Sequence, residues 1–269
     1  MDGVRLATLR SRSAGMAVWV YRAGPWLIDA GFAHARRELL RWDGLDGVAS
    51  CVLTHHHEDH TGNAAALAER GIEVVAPPPV IERLPETRKR LPLYRWWVWG
   101  HAEVGPVDPL DGPLTAPGWS LEPIHTPGHA ADHHVLFEPD RELLFAADLY
   151  IGRRVPVARL AEDPETLLES LRRARDLRPR TMFCAHRGPI DRPAPALGEK
   201  IGWLEGFVAD ARELRRRGLE VKEIARRLLG REGAVGWVSG GELSKRNLVR
   251  VALPAGDPAR PAEAADDDR

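Results

Sequence analysis

Short apolar runs and helix-patterned segments alternate from the start of the chain to about Gly188. The apolar runs, bounded by turn signals such as Gly24-Pro25, have the length and composition of strands. The predicted strands cover residues 4–9, 16–22, 25–29, 49–54, 72–76, 121–125, 135–137, 143–147 and 181–185. Apolar positions at helical spacing predict helices over residues 32–42, 61–71 and 164–176. Hairpin-like strands mixed with strand–helix units predict an α/β fold, a layered sandwich with helices outside packed sheets.

The pattern changes near residue 195, where continuous helical spacing begins. Residues 197–230 predict two amphipathic helices and residues 243–253 predict a third. The tail from Pro254 is rich in Pro and Ala, ends in an acidic run, and is predicted to be disordered. The predicted domains are a main domain over residues 1–195, a helical domain over residues 196–253 and a disordered tail over residues 254–269.

The composition limits the protein class. A chain of 269 residues with 43% hydrophobic residues suits one large domain with or without a small appendix. The net charge of -1 indicates neither a nucleic-acid carrier nor a membrane-surface protein, although it is compatible with a local basic patch. The two cysteines, Cys51 and Cys184, lie in apolar runs, so they are predicted to be core side chains in a reducing compartment. With no leader pattern and no run of about 18 apolar residues, we expect a cytoplasmic protein without membrane attachment.

The densest group of ionisable side chains lies in residues 54–63, Thr-His-His-His-Glu-Asp-His-Thr-Gly-Asn. Imidazoles and carboxylates packed so closely are costly unless something binds them, and they are ligands that zinc prefers. Alternate positions lie on one side of an extended or loop backbone, so His56 and Glu58 point away from that side. The candidate ligands, including the histidine at the turn into the next helix, are His55, His57, Asp59 and His60.

Three more candidate ligands follow later predicted strands. His129 ends Thr-Pro-Gly-His, a turn that proline stiffens and glycine tightens. Asp148 ends an apolar strand, where a carboxylate must be paired, capping or ligating. His186 ends the strand over residues 181–185. Each position is a weak signal alone, but their joint placement after successive strands, together with the histidine-rich loop, predicts a metal site.

The order and spacing of these motifs across residues 1–190 resemble the metallo-β-lactamase superfamily. The resemblance implies a four-layer αββα sandwich, a small winged-helix-like C-terminal appendix, and a hydrolase with two divalent metal ions, zinc first, with iron or manganese as alternatives. The implied ligands are His55, His57 and His129 for one metal, Asp59, His60 and His186 for the other, and Asp148 as the bridge. Asp29 matches the family's early aspartate, which orients a ligand histidine.

Finer features resemble the subgroup of β-lactamase-like protein 2 and glyoxalase II-like hydrolases. They are the segment 126–133, Gly188-Pro189-Ile190 and the helical C-terminal part. Two positions depart from the family pattern. Arg187 follows the last histidine where glycine is frequent, and it either binds a substrate anion or points away. Ala146-Ala147 precedes the bridging aspartate where a hydroxyl residue and glycine are frequent, which removes a hydroxyl but no ligand.

The connection between residues 77 and 117 contains three tryptophans close together, Trp96, Trp97 and Trp99. Two interpretations are open for them. They pack on the core, or they form an apolar lid over the metal site that binds an acyl or aromatic group or stacks on bases.

Three functional hypotheses follow from the sequence. The first is a hydrolase of an ester, thioester or lactone, in which a metal-bridging hydroxide attacks a small-molecule substrate and Asp59 is both ligand and candidate proton acceptor. The second is a metal-dependent endoribonuclease or phosphodiesterase, an activity that the resembled subgroup includes. Basic runs in the helical domain and stacking of bases on the tryptophans would suit it. The third is a nucleic-acid or protein-binding module with a structural metal site, which the open ligand set disfavours. The sequence indicates no oligomeric state.

Overall fold

A computed structural model describes residues 2–260 of the chain, which contain two six-stranded sheets. The strands of the first sheet, from edge to edge, are β1 (Asp2–Leu6), β2 (Val18–Ala23), β3 (Trp26–Ile28), β4 (Ser50–Val52), β5 (Glu73–Ala76) and β6 (Asp108–Pro109). Those of the second are β7 (Leu114–Ala116), β8 (Trp119–His125), β9 (His134–Glu138), β10 (Leu143–Ala147), β11 (Thr181–Cys184) and β12 (Gly188–Ile190). The predicted sandwich of α and β layers is confirmed.

Helices connect the strands and make up the C-terminal part. They are α1 (Leu9–Ser13), α2 (Arg36–Leu39), α3 (Glu58–Thr61), α4 (Ala64–Ala68), α5 (Pro78–Arg83), α6 (Leu93–Trp99), α7 (Pro164–Asp176), α8 (Pro193–Arg216), α9 (Val221–Leu229), α10 (Ala234–Val238) and α11 (Lys245–Ala252). Short 3₁₀ turns cover Ala33–Ala35, Asp43–Leu45 and Leu84–Arg88. None of the helices within residues 2–260 is both long and apolar enough to cross a bilayer.

The chain groups into two compact units. The first comprises residues 2–125, 132–151 and 178–193 and contains both sheets. The second comprises, among the described residues, 126–131, 152–177 and 194–260 and contains α7 and α9–α11. The predicted domain boundary at residue 195 stays a prediction.

Alternation along the strands builds two apolar layers in the first unit. Side chains of β2 and β3 such as Tyr21, Trp26 and Ile28 share one core with Phe145 and Phe183 of the second sheet. The rings of Phe145 and Phe183 lie 5.1 Å apart, centroid to centroid, in a stacked arrangement. Because neighbouring residues of a strand point to opposite faces, this set fills the space between the sheets.

The intervening strand residues form the second apolar layer, on the outer face of the first sheet. Val20 of β2 and Leu27 of β3 pack there with Leu67 of α4 and with Val98 and Trp99 of α6. All five side chains are buried. The first sheet therefore carries a helical layer on the face that does not meet the second sheet.

The first strand is shorter than the sequence predicts. Strand β1 ends at Leu6, and helix α1 begins at Leu9 after the capping residue Thr8, although the predicted strand continues to residue 9. The Thr8 hydroxyl accepts a hydrogen bond from the Ser11 backbone N–H (3.2 Å), and the Ser11 hydroxyl accepts one from the Thr8 N–H (3.0 Å). This reciprocal cap satisfies backbone donors at the start of a helix and explains the change of structure.

The second unit is helical, and it includes the beginning of the predicted tail. Helix α7 begins after Asp163, whose carboxylate accepts hydrogen bonds from two backbone N–H groups of the first turn. Residues 230–244 form the short helix α10 and turns where a winged helix would carry a β-hairpin. Asp257 pairs with Arg215 at 3.0 Å, and Arg260 lies 3.4 Å from Asp163. The rest of the predicted disordered tail, residues 261–269, lies outside the described residues.

Candidate metal centre

The histidine-rich loop follows strand β4 and leads into the short helix α3. Residues 53 and 54 continue from β4, and His57 precedes the first helical residue, Glu58. The four candidate ligands of the loop are buried. A loop that buries this many ionisable groups needs specific partners for them.

Four side chains of the first unit converge. One ligand atom from each of Asp59, His60, Asp148 and His186 lies within 4.8 Å of the others. The His186 Nε2 atom is 3.2 Å from Asp148 Oδ1 and 3.4 Å from Asp59 Oδ2. Two carboxylates and two imidazoles at this separation are a donor set that suits a divalent cation.

His60 is held in the orientation of a metal ligand. Its Nδ1 atom lies 2.7 Å from the Asp29 carboxylate, while its buried Nε2 atom makes no hydrogen bond within the described part of the chain. That Nε2 atom lies 3.5 Å from Asp148 Oδ1 and 3.8 Å from Asp59 Oδ2. A buried imidazole nitrogen without a hydrogen bond, facing two carboxylates, fits a divalent cation between them, and the carboxylate behind the ring fixes the tautomer.

His186 is fixed in a similar way by the backbone. Its Nδ1 atom lies 2.9 Å from the Ala17 carbonyl oxygen, which directs Nε2 towards the carboxylates. Burial opposes the charged imidazolium, but Asp148 and Asp59 outweigh it and raise the pKa of His186 to about 9. Burial likewise opposes the charge of His60, yet Asp29, Asp148 and Asp59 raise the pKa of His60 well above its usual value. In the absence of metal, protons on these rings therefore balance the carboxylates.

The two carboxylates respond in opposite directions. Burial works against the charged form of Asp148, but His186 and His60 outweigh it and hold the pKa of Asp148 well below its usual value. For Asp59, burial is the largest influence and raises the pKa, although His60 and His186 partly oppose it. Asp148 is thus the more firmly ionised oxygen donor.

The first two histidines of the motif also lie side by side. His55 Nε2 and His57 Nδ1 are 3.0 Å apart. The His55 Nδ1 atom is 3.0 Å from the Thr54 hydroxyl, which donates a hydrogen bond to Asp29 Oδ2 at the same distance. Asp29 therefore supports both His60 and the loop residue behind His55, and it does so from a left-handed backbone with φ of 64°.

His129 belongs to the second unit, and its side chain is buried. Its turn is rigid, because the Gly128 carbonyl accepts a hydrogen bond from the Asp163 N–H (2.8 Å) and the Pro127 carbonyl accepts one from the Ser170 hydroxyl (2.7 Å). Gly128 has a φ of 129°, and a Cβ atom there would lie 2.5 Å from the Leu167 backbone. Only glycine fits this position, as the sequence pattern predicts. The assignment of His129 as a ligand stays a prediction.

Sequence reasoning missed the partners of the two motif residues that are not ligands. The Glu58 carboxylate accepts hydrogen bonds from Arg95 Nε (2.7 Å) and Nη2 (2.5 Å), and both side chains are buried. The Asp132 carboxylate accepts a hydrogen bond from the His56 backbone N–H (2.8 Å) and lies 2.9 Å from His56 Nδ1. A buried carboxylate inside a ligand motif signals an unseen partner, but the partner's position in the sequence carries no signal.

A further missed residue supports the predicted bridging aspartate. The Asp148 backbone N–H donates a hydrogen bond to His133 Nε2 at 3.2 Å. Burial lowers the pKa of His133 to about 4, although Asp148 partly opposes this. His133 is thus a neutral acceptor. His133 lies in the segment 126–133, whose sequence resembles the family pattern. That resemblance was the signal in the sequence that could have identified it.

The four residues proposed to contact substrate differ in how far they are exposed. Trp99 is buried, with its ring centroid 4.8 Å from that of Phe32 and 6.4 Å from that of His186. Trp96 and Trp97 are exposed by 41% and 42%. The exposed Arg187 donates a hydrogen bond from Nε to the Ile151 carbonyl at 2.7 Å. Of the two interpretations of the tryptophans, core packing describes Trp99, and the assignments of all four residues to substrate stay predictions.

Comparison with known proteins agrees with this geometry. Residues 15–186 match the metallo-beta-lactamase superfamily, so the chain belongs to that superfamily. A hydroxyacylglutathione hydrolase of Bdellovibrio bacteriovorus is 30% identical over 162 residues, 59% of this chain and 57% of that protein. A beta-lactamase-like protein 2 homolog of Drosophila melanogaster is 28% identical over 171 residues, 60% of this chain and 50% of that protein. The predicted superfamily and subgroup are confirmed.

A solved structure shows the same fold. A metallo-beta-lactamase family protein from Thermus thermophilus superposes with a TM-score of 0.63 at 21% identity, covering 88% of this chain and 87% of that one. The chain spans only about half the length of the curated relatives it matches. Membership of the superfamily and a His/Asp site for divalent metal are therefore established, while the reaction requires a separate argument.

Proposed function

We propose that this protein is a metal-dependent hydrolase of small-molecule thioesters, within the wider class of esters, thioesters and lactones. The observation that carries the proposal is the convergence of Asp59, His60, Asp148 and His186, with the buried His60 Nε2 facing two carboxylates. The similarity to a hydroxyacylglutathione hydrolase, whose named substrate is a glutathione thioester, favours the thioester.

The proposed ligands form two sets that share one carboxylate. His55, His57 and His129 would hold one divalent cation, Asp59, His60 and His186 would hold the other, and Asp148 would belong to both sets. Zinc is the first choice because imidazole and carboxylate donors suit it, and iron or manganese would also be tolerated. When bound, the cations supply a water of lowered pKa that is available as hydroxide near neutral pH.

The remaining residues of the site orient the ligands. The Asp29 carboxylate and the Ala17 carbonyl fix the tautomers of His60 and His186, so each ring presents Nε2 to the carboxylates. Asp59 is proposed as a ligand first, and its Oδ2 atom, 3.4 Å from His186 Nε2, is the proposed acceptor of the proton released when water attacks. This is the catalytic role assigned to Asp59.

Removal of one predicted ligand tests the proposal. We expect His57→Ala to lower metal content by about half or more and to lower kcat/KM by roughly 10²-fold or more, since the ligand positions both cation and water. Metal content is measured by mass spectrometry, and the rate with acyl-glutathione, acyl-pantetheine, lactone and RNA substrates. The control is His101→Ala, an exposed histidine outside every cluster described above.

The outcomes separate the hypotheses. Thioester hydrolysis that is abolished by EDTA and restored by zinc supports the proposal. Cleavage of single-stranded RNA alone would assign the protein to the nucleases instead. Wild-type metal content and rate in His57→Ala would contradict the metal site itself.

A further inference from the structure

Helix α6 links the metal-binding motif to an exposed apolar surface of the first unit. On one side, Arg95 binds the motif residue Glu58 and the Trp99 ring lies near that of His186. On the other side, Leu93, Trp96 and Trp97 are spaced three and four residues apart and are exposed. The helix therefore reaches from the metal ligands to solvent.

Helix α1 extends this apolar surface. It packs against α6. Arg10 Nη1 lies 3.4 Å from His34 Nε2, which is itself 3.0 Å from the Trp96 carbonyl oxygen. Leu9 of α1 is exposed by 87% and Leu93 of α6 by 78%. Leu93 shares one face of α6 with two half-exposed tryptophans, and such a group of exposed apolar side chains is unusual on a protein surface unless it binds something.

The two chain segments that carry these side chains are basic. Residues 8–16 and 88–99 contain no Asp or Glu. Of the cations in these segments, Arg95 is neutralised by Glu58, whereas Arg12, Arg88 and Arg90 form no ion pair with any described residue. The two segments thus offer exposed arginines in a chain whose net charge is only -1. One carboxylate also lies close to α1, since Glu38 accepts a hydrogen bond from the Ala7 N–H at 3.3 Å.

We propose that this α1–α6 surface, made of Leu9, Leu93, Trp96, Trp97, Arg12, Arg88 and Arg90, binds the nucleotide carrier of an acyl-coenzyme A substrate. The inference rests on the proposed thioester hydrolase function and specifies its substrate. The arginines bind the phosphates of the carrier, and an exposed tryptophan stacks on its adenine. Leu9 and Leu93 give apolar contact to the acyl or pantetheine chain.

The reaction is a hydrolysis that needs no further reactant. Water adds its oxygen to the thioester carbonyl carbon, and the carbon–sulfur bond breaks. The products are the free carboxylic acid and coenzyme A, whose sulfur takes up the remaining proton. Helix α6 fits this reaction because it connects the carrier-binding surface to His186 and to the motif that contains Asp59.

The experiment compares two thioesters with the same acyl group and the same reacting bond. One is acyl-coenzyme A, and the other is acyl-N-acetylcysteamine, which lacks the nucleotide. The metal-loaded wild-type protein is expected to show a kcat/KM for acyl-coenzyme A about tenfold or more above that for acyl-N-acetylcysteamine at low salt. At about 0.5 M salt the two values should become nearly equal, because salt screens the exposed charges. Binding of 3′,5′-ADP, followed by tryptophan fluorescence, tests the surface independently of turnover.

Charge reversal identifies the surface. The double variant Arg88→Glu/Arg90→Glu should lose most of the preference and bind 3′,5′-ADP about tenfold more weakly or worse. The matched control, Arg226→Glu/Arg227→Glu, makes the same change of charge on exposed positions of α9 and should keep both properties. Thermal unfolding confirms that both variants fold.

The results separate this inference from the proposed function. Hydrolysis of both thioesters at equal rates, without binding of 3′,5′-ADP, would leave the hydrolase intact and overturn the assignment of the surface. Hydrolysis of acyl-glutathione alone would likewise overturn the assignment of the surface, whereas hydrolysis of none of the three thioesters would contradict the proposed function. A rate increase only with an acyl group on a carrier protein would assign the surface to a protein partner and also overturn the inference.

Discussion

At the scale of single residues, the site depends as much on the groups that hold the ligands as on the ligands. Asp29 contacts the Thr54 backbone, the Thr54 hydroxyl and the His60 ring, so one carboxylate fixes two parts of the histidine-rich loop. Glu58 is fixed in turn by Arg95. These partners are buried, and a buried charge without its partner is strongly destabilising.

The pair of Glu58 and Arg95 gives a prediction about stability. Arg95→Ala should lower the free energy of unfolding by about 3–5 kcal/mol, because it leaves the Glu58 carboxylate buried without its partner. The side chains of this pair are exposed by only 2% and 10%. Chemical denaturation of the protein at neutral pH measures the change.

The control is an exposed ion pair with the same N–O distance. Arg172 and Glu205 are also 2.5 Å apart, but their side chains are exposed by 44% and 46%. Arg172→Ala should therefore change the free energy of unfolding by about 1 kcal/mol or less. Equal effects of the two substitutions would show that burial does not make the Glu58–Arg95 pair important.

The neutral His133 gives a prediction about pH. Burial lowers its folded pKa to about 4, below the unfolded value of 6.5. Above pH 6.5 the ring is neutral in both states, and between pH 6.5 and 4 only the unfolded state takes up the proton, so stability falls as pH falls, by about 1.4 kcal/mol per unit for this one group.

The variant His133→Gln isolates this contribution. Glutamine keeps an acceptor for the Asp148 N–H but does not titrate. The unfolding free energy of the metal-free variant should therefore depend less steeply on pH between 6.5 and 4 than that of the metal-free wild-type protein, by about one bound proton. Parallel curves would mean that His133 is protonated in the folded state.

At the scale of elements, the candidate ligands come from the ends of strands and from the loops that follow them. Strands β3 and β4 are parallel, as are β10 and β11, so the segments after them leave the sheets at the same edges. Asp29 follows β3, the histidine-rich loop follows β4, and Asp148 follows β10. Ala147, with φ of 40°, makes the sharp turn into Asp148.

The turn before His129 gives a prediction at this scale. Gly128→Ala should lower the free energy of unfolding by more than about 2 kcal/mol, because it combines a positive φ with a Cβ atom 2.5 Å from the Leu167 backbone. The control is Gly118→Ala, where φ is 72° and a Cβ atom would meet nothing within 4 Å. Gly118→Ala should lower the free energy of unfolding by about 1–2 kcal/mol, which is the cost of the positive φ alone. Equal losses would indicate that contact with Leu167 is unimportant.

Several of the shortest elements were not predicted from the sequence. Strands β6, β7 and β12 have two or three residues each, and two of them contain proline. Helix α1 was predicted as strand, because its apolar Leu9 continues the pattern of β1. Pairing with a neighbouring strand or a local cap decides the secondary structure of such segments. A short run has too few residues to show a helical or strand period of apolar positions.

At the scale of the whole molecule, metal binding and folding should be coupled. The unit that contains both sheets holds two buried carboxylates, one buried imidazole and the partly buried His186, with one ligand atom of each within 4.8 Å of the others. A cation that binds only the folded state adds stability by mass action, about 2.7 kcal/mol at a concentration one hundred times Kd. Metal binding must also release the protons that His186 and His60 hold because of their raised pKa values.

The prediction is that EDTA lowers the melting temperature and that zinc restores it. Calorimetric titration of zinc into the metal-free protein at pH 7, in buffers of different ionisation enthalpy, should show proton release, because His186 has a pKa of about 9 without metal. In Asp148→Asn, both the thermal shift and the proton release should be smaller. An unchanged melting temperature with EDTA and zinc would contradict coupling.

The sequence by itself determined the superfamily and the chemistry of the site. The histidine-rich motif, with Asp148 and His186 after later strands, needed only residue types and spacing, because metal ligands are few and chemically specific. The alternation of apolar residues was enough to predict most strands and the long C-terminal helices, since burial imposes their period.

The tertiary structure decided which distant side chains support those residues. Arg95 reaches Glu58 across 37 positions of the chain, and Ala17 reaches His186 across 169. It also decided that helix α1, with its exposed Leu9, packs against helix α6, with its exposed Leu93. No local pattern encodes these pairs, because they result from the packing of elements that are far apart in sequence, whereas ligand type and hydrophobic period are properties of the local chain.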